Sequence, residues 1–521
     1  MRSKVICFAA ILCLCAAAFF IYAPTVSDHP YAYDEADYMW AGKQGFRANY
    51  LDQNGLSFVA FVKKGLELSR DSSKRQSFSG YIRGTGDIGL YRHYHGPMYA
   101  YWLALFQSLG TVRETVFRGS GLLIHFASAL IILFGFWKVF PSLPPPAGLA
   151  AAALFIFNRT ALVAATTITQ HVVFTFFSLA TLFAASLFLK TLETRWFYAT
   201  MALLACSFAT VETSSLIVVA LALALMIEHR RLRERFRSLK NIAALVAKGV
   251  AVFVLTLLVC WPKGVLQLGI GKGFLTLAYM SVVRKNFNPF GPLDLWSAKF
   301  NSSPWEFSLL MTGIVAAFVL WRRSSEKPAL LPWLSFIAVF FLVTLKVTLP
   351  YTYYYSPLTA AMTVTTGAAF GMLWNRFGQP ALLLGATAIV VSIMGTTLPY
   401  RKEALADHDF RPYHFAVLKL VDSQPAGAGR PLYLPFQLVP TLHYYHPEIQ
   451  TVGYDADFPV ARLADGIRSP EADDKMLCEE EFCAAIERQS PGFALNKTLL
   501  DPVGPNRQPL YVIQVRKTGS L

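Results

Sequence analysis

Windows free of Asp, Glu, Lys and Arg run at residues 5–23, 119–137, 172–189, 351–374 and 380–399. A helix needs roughly 20 apolar residues to cross the hydrocarbon core of a bilayer, so each window predicts a membrane span. Further apolar stretches lie at 147–168, interrupted by Arg159; at 196–211 and 213–227, separated by Glu212; at 242–262, with Lys248 near its start; and at 305–321 and 329–345. Read as one helix, 196–227 would be about 48 Å long at about 1.5 Å per residue, too long for a core of about 30 Å. It therefore predicts two spans with Glu212 at the turn, and the total is eleven.

Beyond the spans the pattern changes. Residues 24–115 alternate polar and aromatic positions, and Pro97 to Leu109 predicts an amphipathic helix on the membrane surface. In the tail, 400–521, apolar runs at 431–439 and 509–515 predict strands and 471–488 has helical composition, which together read as a small mixed α/β domain. The expected division is a transmembrane domain, 1–399, and a tail domain, 400–521. No repeat of 20 to 50 residues is visible, and no long low-complexity stretch.

Composition agrees with a polytopic membrane protein: 54% of the 521 residues are hydrophobic, 15% are charged and mean hydropathy is +0.41. A net charge of +15 in a soluble protein would point to nucleic acid. Here residues 400–521 hold 13 Lys and Arg against 16 Asp and Glu, leaving 34 against 16 among the apolar segments, so the excess is topological and no nucleic-acid partner is expected. Arg2 and Lys4 set the N-terminus in the cytoplasm, and the basic loop 228–241 (Arg230, Arg231, Arg233, Arg235, Arg237, Lys240) falls on the same side. The segments 24–115, 263–304 and 400–521 then face away from the cytoplasm. The first 23 residues also resemble a cleavable signal, although Phe19, Phe20 and Tyr22 extend the apolar run as an anchor would. Cys7, Cys13, Cys15, Cys206 and Cys260 read as small buried hydrophobes. Cys478 and Cys483 lie where a disulfide is permitted, yet on one continuous helix they would face different directions.

The outer segments carry the candidate chemistry. Tyr33-Asp34-Glu35-Ala36-Asp37-Tyr38 opens a short helix about ten residues past the first span. A carboxylate fixed there can act as a general base, and acidic capping of the helix start is the competing account. Arg92-His93-Tyr94-His95-Gly96-Pro97-Met98-Tyr99 sets cationic and imidazole groups before the amphipathic helix, where a phosphate would sit at headgroup level; interfacial anchoring also explains Tyr99, Tyr101 and Trp102. Lys346 and Leu349-Pro350-Tyr351-Thr352-Tyr353-Tyr354-Tyr355 end the ninth span, with Lys346 either snorkelling or meeting a lipid phosphate. Arg159, near mid-span, needs a partner or a water-filled cavity, and a structural pairing with Glu212 is the expected partner. The segment 263–304 carries Lys263, Lys272, Arg284, Lys285 and Lys299 against Asp294, an excess that an anionic ligand or lipid headgroups would explain.

These motifs, in this order and on one side, resemble the GT-C glycosyltransferases, in the branch of the protein O-mannosyltransferases and lipid A aminoarabinose transferases. Asp34-Glu35 with Tyr38 resembles that group's acidic pair and nearby tyrosine. His95-Gly96-Pro97-Met98-Tyr99 resembles its His-Pro-Pro-Leu-Tyr segment, with Gly96 in place of a proline, and Lys346 to Tyr355 is similar to the segment that contacts the lipid-linked phosphate. The resemblance spans residues 1–400. Departures are His95 and Gly96 where the aminoarabinose transferases have an acid and a lysine, Gln170-His171 where they have an aspartate, and Glu212 in a region that often holds a lysine.

The resemblance implies an all-α polytopic GT-C fold with a small extracytoplasmic C-terminal α/β domain. It implies a glycosyltransferase, of hexosyl or pentosyl type, in a bacterial inner membrane, moving a sugar from a polyprenyl-phosphate donor to a hydroxyl of a glycan, lipid or protein. Asp34 would be the base in one inverting displacement, with Glu35 and the substrate-binding Tyr38 orienting it or the acceptor. Arg92, His93, His95, Gln170, His171, Glu212, Arg284, Lys285, Lys346, Tyr353 and Tyr354 would bind substrate. No cofactor and no metal is expected for a lipid monophosphate donor; with a diphosphate donor Asp34 and Glu35 would be metal ligands. The rival classes are a secondary transporter or flippase using Arg159 and Glu212 as intramembrane charges, and a catalytically inert assembly subunit. Asn301-Ser302-Ser303 and Asn496-Lys497-Thr498 are sequons that would matter in an endoplasmic reticulum.

Overall fold

The computed structural model describes residues 2–32, 34–43, 45, 57–60, 62–63, 95–110, 113–266, 268–275, 292–321, 324, 326–344, 352–409, 413–423, 432–435, 438–449, 451–454, 475–489, 493–502 and 508–517. The predicted spans are helices: α1 (Arg2–Tyr22), α4 (Glu114–Val139), α5 (Pro145–Ile156) with α6 (Arg159–Thr166), α7 (His171–Thr191), α8 (Thr194–Phe208), α9 (Ser215–Ile227), α11 (Leu239–Cys260), α14 (Pro304–Trp321), α15 (Lys327–Thr344), α16 (Ser356–Phe377) and α17 (Gln379–Asp409). Between them lie α2 (Asp34–Lys43), α3 (Met98–Ser108), the basic α10 (His229–Phe236), α12 (Pro262–Leu266) and α13 (Pro292–Ser302). Against the eleven spans expected, seven helices among the described residues are long and apolar enough to cross a membrane, or nine when each of two bent pairs counts as one span; α8 and α16 are not among them. One pair is α5 and α6, which meet at 55°. Asn158 caps α6 there by accepting from Ala161 N–H, which makes the expected third span a broken one.

The helix at the centre is unlike the others. Residues 356–372 of α16 are all buried by protein, and the helix is rich in Thr and Ala rather than Leu. Its hydroxyls return to the helix: Thr363 donates to the Ala360 carbonyl and Thr366 to that of Met362. A Cβ on Gly367 would stand 2.6 Å from that of Ala151, so the absent side chain is what lets α16 and α5 pack closely.

Arg159 and Glu212 are not paired. Arg159 binds the Glu403 carboxylate on α17 and the Ser302 carbonyl, whereas Glu212 faces His95. The break at Asn158 turns Arg159 toward the end of the bundle, so the partner comes from a neighbouring helix end. At the opposite end α10 carries the basic loop, anchored by Arg231 to the Leu189 carbonyl and Glu228. Lys190 there joins Glu326 and the Val139 carbonyl.

The tail forms the expected α/β unit around a mixed sheet of order β2-β1-β3-β5-β4: β1 (Leu432–Pro435), β2 (Thr451–Tyr454), β3 (Lys475–Glu479), β4 (Phe493–Asp501) and β5 (Leu510–Lys517). β1 runs parallel to β2 and β3, and β5 antiparallel to β3 and β4, with Leu477 opposite Val512. Helix α18 (Tyr413–Asp422) lays Tyr413, Val417 and Val421 against Leu434, Leu442 and Leu477. Helix α17 runs across the expected boundary at 399/400. The stretch 471–488, expected to be helical, is instead strand β3 followed by α20 (Glu480–Gln489). That strand-to-helix break brings Cys478 and Cys483 together as a disulfide, which one continuous helix would have prevented.

The tail docks on the helix that opens with Asp34. Helix α19 (Val439–Tyr445) brings Tyr444 and Tyr445 onto α2 and the loop before it. Tyr31 N–H donates to Tyr445 Oη at 3.0 Å, and that hydroxyl donates to Glu114 at 2.6 Å. Lys43 donates to the Tyr444 carbonyl at 3.0 Å and lies 3.6 Å from its ring centroid.

Candidate active site

Helix α2 begins with Asp34 and Glu35 in its first turn, where carboxylates complement the helix dipole. Glu35 is held by Arg118 of α4 in a two-bond fork, Nε to Oε1 at 3.0 Å and Nη2 to Oε2 at 2.6 Å, and Oε1 also accepts Ile168 N–H at 3.1 Å. Arg118 is 4% exposed and spends its remaining donors on the Ser27, His29 and Pro30 carbonyls. Both oxygens of Glu35 are therefore occupied in fixing the loop and α2 to the bundle. Tyr38, one turn on, meets the Tyr99 ring edge to face at 5.4 Å. Burial, reinforced by nearby Glu35, pushes the Tyr99 phenol well above its ordinary range, so it stays neutral.

The segment before α3 supplies the next group. His95 Nδ1 lies 2.9 Å from Glu212 Oε2, and Glu212 is 2% exposed. With Nδ1–H donating to that carboxylate, Nε2 is directed away from it and the ring orientation is fixed. A Cβ on residue 96 would overlap the Ala209 carbonyl, and Met98 N–H donates to the same oxygen at 3.0 Å. Gly96 thus seats the segment directly on the turn that presents Glu212, which explains the departure from proline.

His171 starts α7 with Gln170 just before it, and both are buried. The His171 ring packs against Tyr354 at 4.5 Å and Tyr353 at 5.3 Å, and Asp34 and His95 lie within its electrostatic reach. Among the described residues, Gln170 Oε1, His171 Nδ1 and Glu212 Oε1 are buried without a hydrogen-bond partner. Three such atoms in one place form a polar surface with unused bonding capacity. The predicted residues Asp34, Glu35, Tyr38, His95, Gln170, His171, Glu212, Tyr353 and Tyr354 therefore gather at the end of the bundle that carries the tail domain. Arg92, His93, Arg284, Lys285 and Lys346 lie outside the described residues. Among the described residues no three His, Cys, Asp or Glu side chains are grouped as metal ligands.

Sequence reasoning missed Arg118. Its signal was present: a cation directly before the charge-free window 119–137. It also missed a cavity of about 270 Å³ lined by residues of α6, α13, α14 and α16, on the other side of the short Thr352–Tyr355 turn.

The profile of the dolichyl-phosphate-mannose-protein mannosyltransferases (PMT_2) matches residues 94–261, from the His95 segment through the end of α11. Comparison with curated proteins gives no match. Among solved structures, the chain is similar to ArnT from Cupriavidus metallidurans bound to undecaprenyl phosphate, at 14% identity over 97% of this chain and 98% of that one, with a TM-score of 0.57. The archaeal oligosaccharyltransferase AglB from Archaeoglobus fulgidus, in complex with an inhibitory peptide and a dolichol-phosphate, is similar at 10% identity over 98% and 74%, with a TM-score of 0.53. The chain is an integral membrane protein with the GT-C fold, as its motifs implied.

Proposed function

We propose that the chain is a glycosyltransferase that moves a sugar from a polyprenyl phosphate to an acceptor hydroxyl, with Asp34 as the general base. The observation that carries this reading is the position of Asp34: it opens α2 beside Glu35, which Arg118 and Ile168 N–H already engage on both oxygens, and within electrostatic reach of His171. The unpartnered atoms of Gln170, His171 and Glu212 suit a hydroxylated ligand, which both donates and accepts. In the reaction Asp34 takes the acceptor proton, the acceptor oxygen forms a bond to C1 of the sugar, and the bond from C1 to the phosphate oxygen breaks with its electron pair leaving on the phosphate. His95, Tyr353 and Tyr354, with Arg92, His93, Arg284, Lys285 and Lys346 of the sequence motifs, stabilise that charge. One displacement inverts C1.

The site end lies opposite the basic α10, and basic loops favour the cytoplasm, which supports an extracytoplasmic site. The Cys478–Cys483 disulfide in the tail agrees with an oxidising compartment. ArnT and AglB were solved with polyprenyl phosphates, which supports a lipid-linked donor and a bacterial inner-membrane or comparable setting. Arg159 and Glu212, the charges of the transporter alternative, are held by Glu403 and by His95. The test is sugar transfer from labelled polyprenyl-phosphate sugars in membranes with the wild-type chain or Asp34→Asn, both shown to be inserted. Transfer is expected to fall by about 10²-fold or more in the variant, and equal transfer by the two proteins would sink Asp34 as the base.

A further inference from the structure

The Thr352–Tyr355 turn divides two sites. On one side Tyr353 and Tyr354 face His171. On the other, Tyr355 presents its ring to Lys299 of α13, with the ammonium 4.1 Å from the centroid, and meets Trp296 edge to face at 5.9 Å. Lys299 and Trp296 line the cavity of about 270 Å³.

Its polar lining is biased toward donors. Lys299 Nζ reaches Thr160 Oγ1 at 3.4 Å, a long contact, and has no ion pair among the described residues. Ser303, 6% exposed, has no partner for its hydroxyl, and Trp296 has none for its indole N–H. The carboxylate in the lining is already used: Glu306 takes Asn158 Nδ2 at 2.6 Å and Arg159 N–H at 3.1 Å, both from the start of α6. Arg159 stands at the rim against Glu403. The rest of the lining is the hydroxyl-bearing Ser302, Thr352 and Thr359 and the apolar Val163, Phe307, Leu310 and Met362.

We infer that this cavity binds a phosphate group, held by Lys299, Trp296, Ser303 and Thr160, at a site separate from the one built around Asp34. A tetrahedral group with acceptor oxygens only is the chemistry that such a set of donors satisfies, and it adds a direct ionic partner for Lys299. The apolar walls suit the first methylenes of a lipid, and free phosphate would use the same donors. The site stands whether or not sugar transfer is the chemistry at Asp34. Burial pulls the Lys299 amine down to about 7, opposed by Glu306, and a bound anion returns it to the charged form.

The experiment is native mass spectrometry of the full chain in detergent with phosphatidic acid, diacylglycerol of the same tails, or inorganic phosphate. Wild type is expected to retain phosphatidic acid at least about tenfold better than diacylglycerol, and Lys299→Gln to lose that preference. Trp296→Phe, which keeps the ring and removes the N–H, weakens retention by a few-fold, while Arg230→Gln at the opposite end leaves it unchanged. Melting temperatures confirm that each variant is folded. Retention of inorganic phosphate with the same Lys299 dependence supports the site with free phosphate as its source. Phosphatidic acid retained equally by wild type and Lys299→Gln, or no phosphate-bearing probe retained by the wild type, overturns the inference.

Discussion

Arg118 grips Glu35 through two parallel hydrogen bonds, and that fork ties α4 to the helix that opens with Asp34. Because Arg118 also holds three carbonyls of residues 27–30, one buried guanidinium fixes the whole approach to α2. Losing one partner of a buried pair leaves the other charge uncompensated, at a cost of about 3–5 kcal/mol. Arg118→Met is expected to lower the melting temperature sharply and abolish transfer. The double variant Arg118→Met/Glu35→Leu should recover much of the stability and none of the transfer. Recovery of both would show that the fork serves stability alone.

The contact between His95 and Glu212 gives a graded prediction. Glu212→Gln keeps an acceptor for Nδ1–H and loses the charge, whereas Glu212→Leu removes both. With His95 acting where charge develops, as proposed, transfer should fall modestly in the first and by about 10²-fold in the second, in kcat more than in KM. Equal losses in kcat/KM carried entirely by KM would assign the pair to ground-state binding.

Gly96 tests the seating of that segment. A methyl group at this position meets the Ala209 backbone, which cannot swing aside as a side-chain tip would. Gly96→Ala is expected to cost about 1–3 kcal/mol through overpacking and to weaken transfer by displacing His95. An unchanged melting temperature together with full transfer would rule out the close approach.

The helices were legible because a span is written locally, as a run of apolar residues, and so was the gathering of Asp34, His95, His171 and Tyr353 at one end, because span parity fixes which loops share a side. Pairings between spans were not. Glu212 was the expected partner of Arg159, yet Glu403, 244 residues away, binds it, and nothing local encodes that contact. The central helix α16 was legible as a helix through its lack of charge, but the close approach that Gly367 allows shows only once α5 is seen against it. The Cys478–Cys483 pair depended on a change from strand to helix at Glu479 and Glu480, which a run of acidic residues hid.

His414 gives the pH prediction. It is 3% exposed in α18, and burial, with His29 and Arg118 adding like charge, pulls its imidazole down to about 3 from an ordinary 6.5. A group whose folded value lies below its unfolded one binds more protons unfolded, so its neutral form favours folding above about 6.5 and that advantage is lost as the pH falls toward 3. The slope from this residue is at most roughly 1.4 kcal/mol per pH unit in that window. His414→Phe removes the titration while keeping a ring against Tyr413, which stacks on His414 at 4.1 Å. The variant's melting temperature should therefore fall less steeply than that of wild type between pH 6.5 and pH 4 and run parallel to it above pH 7. Parallel curves across the whole range would mean that His414 does not titrate between the two states.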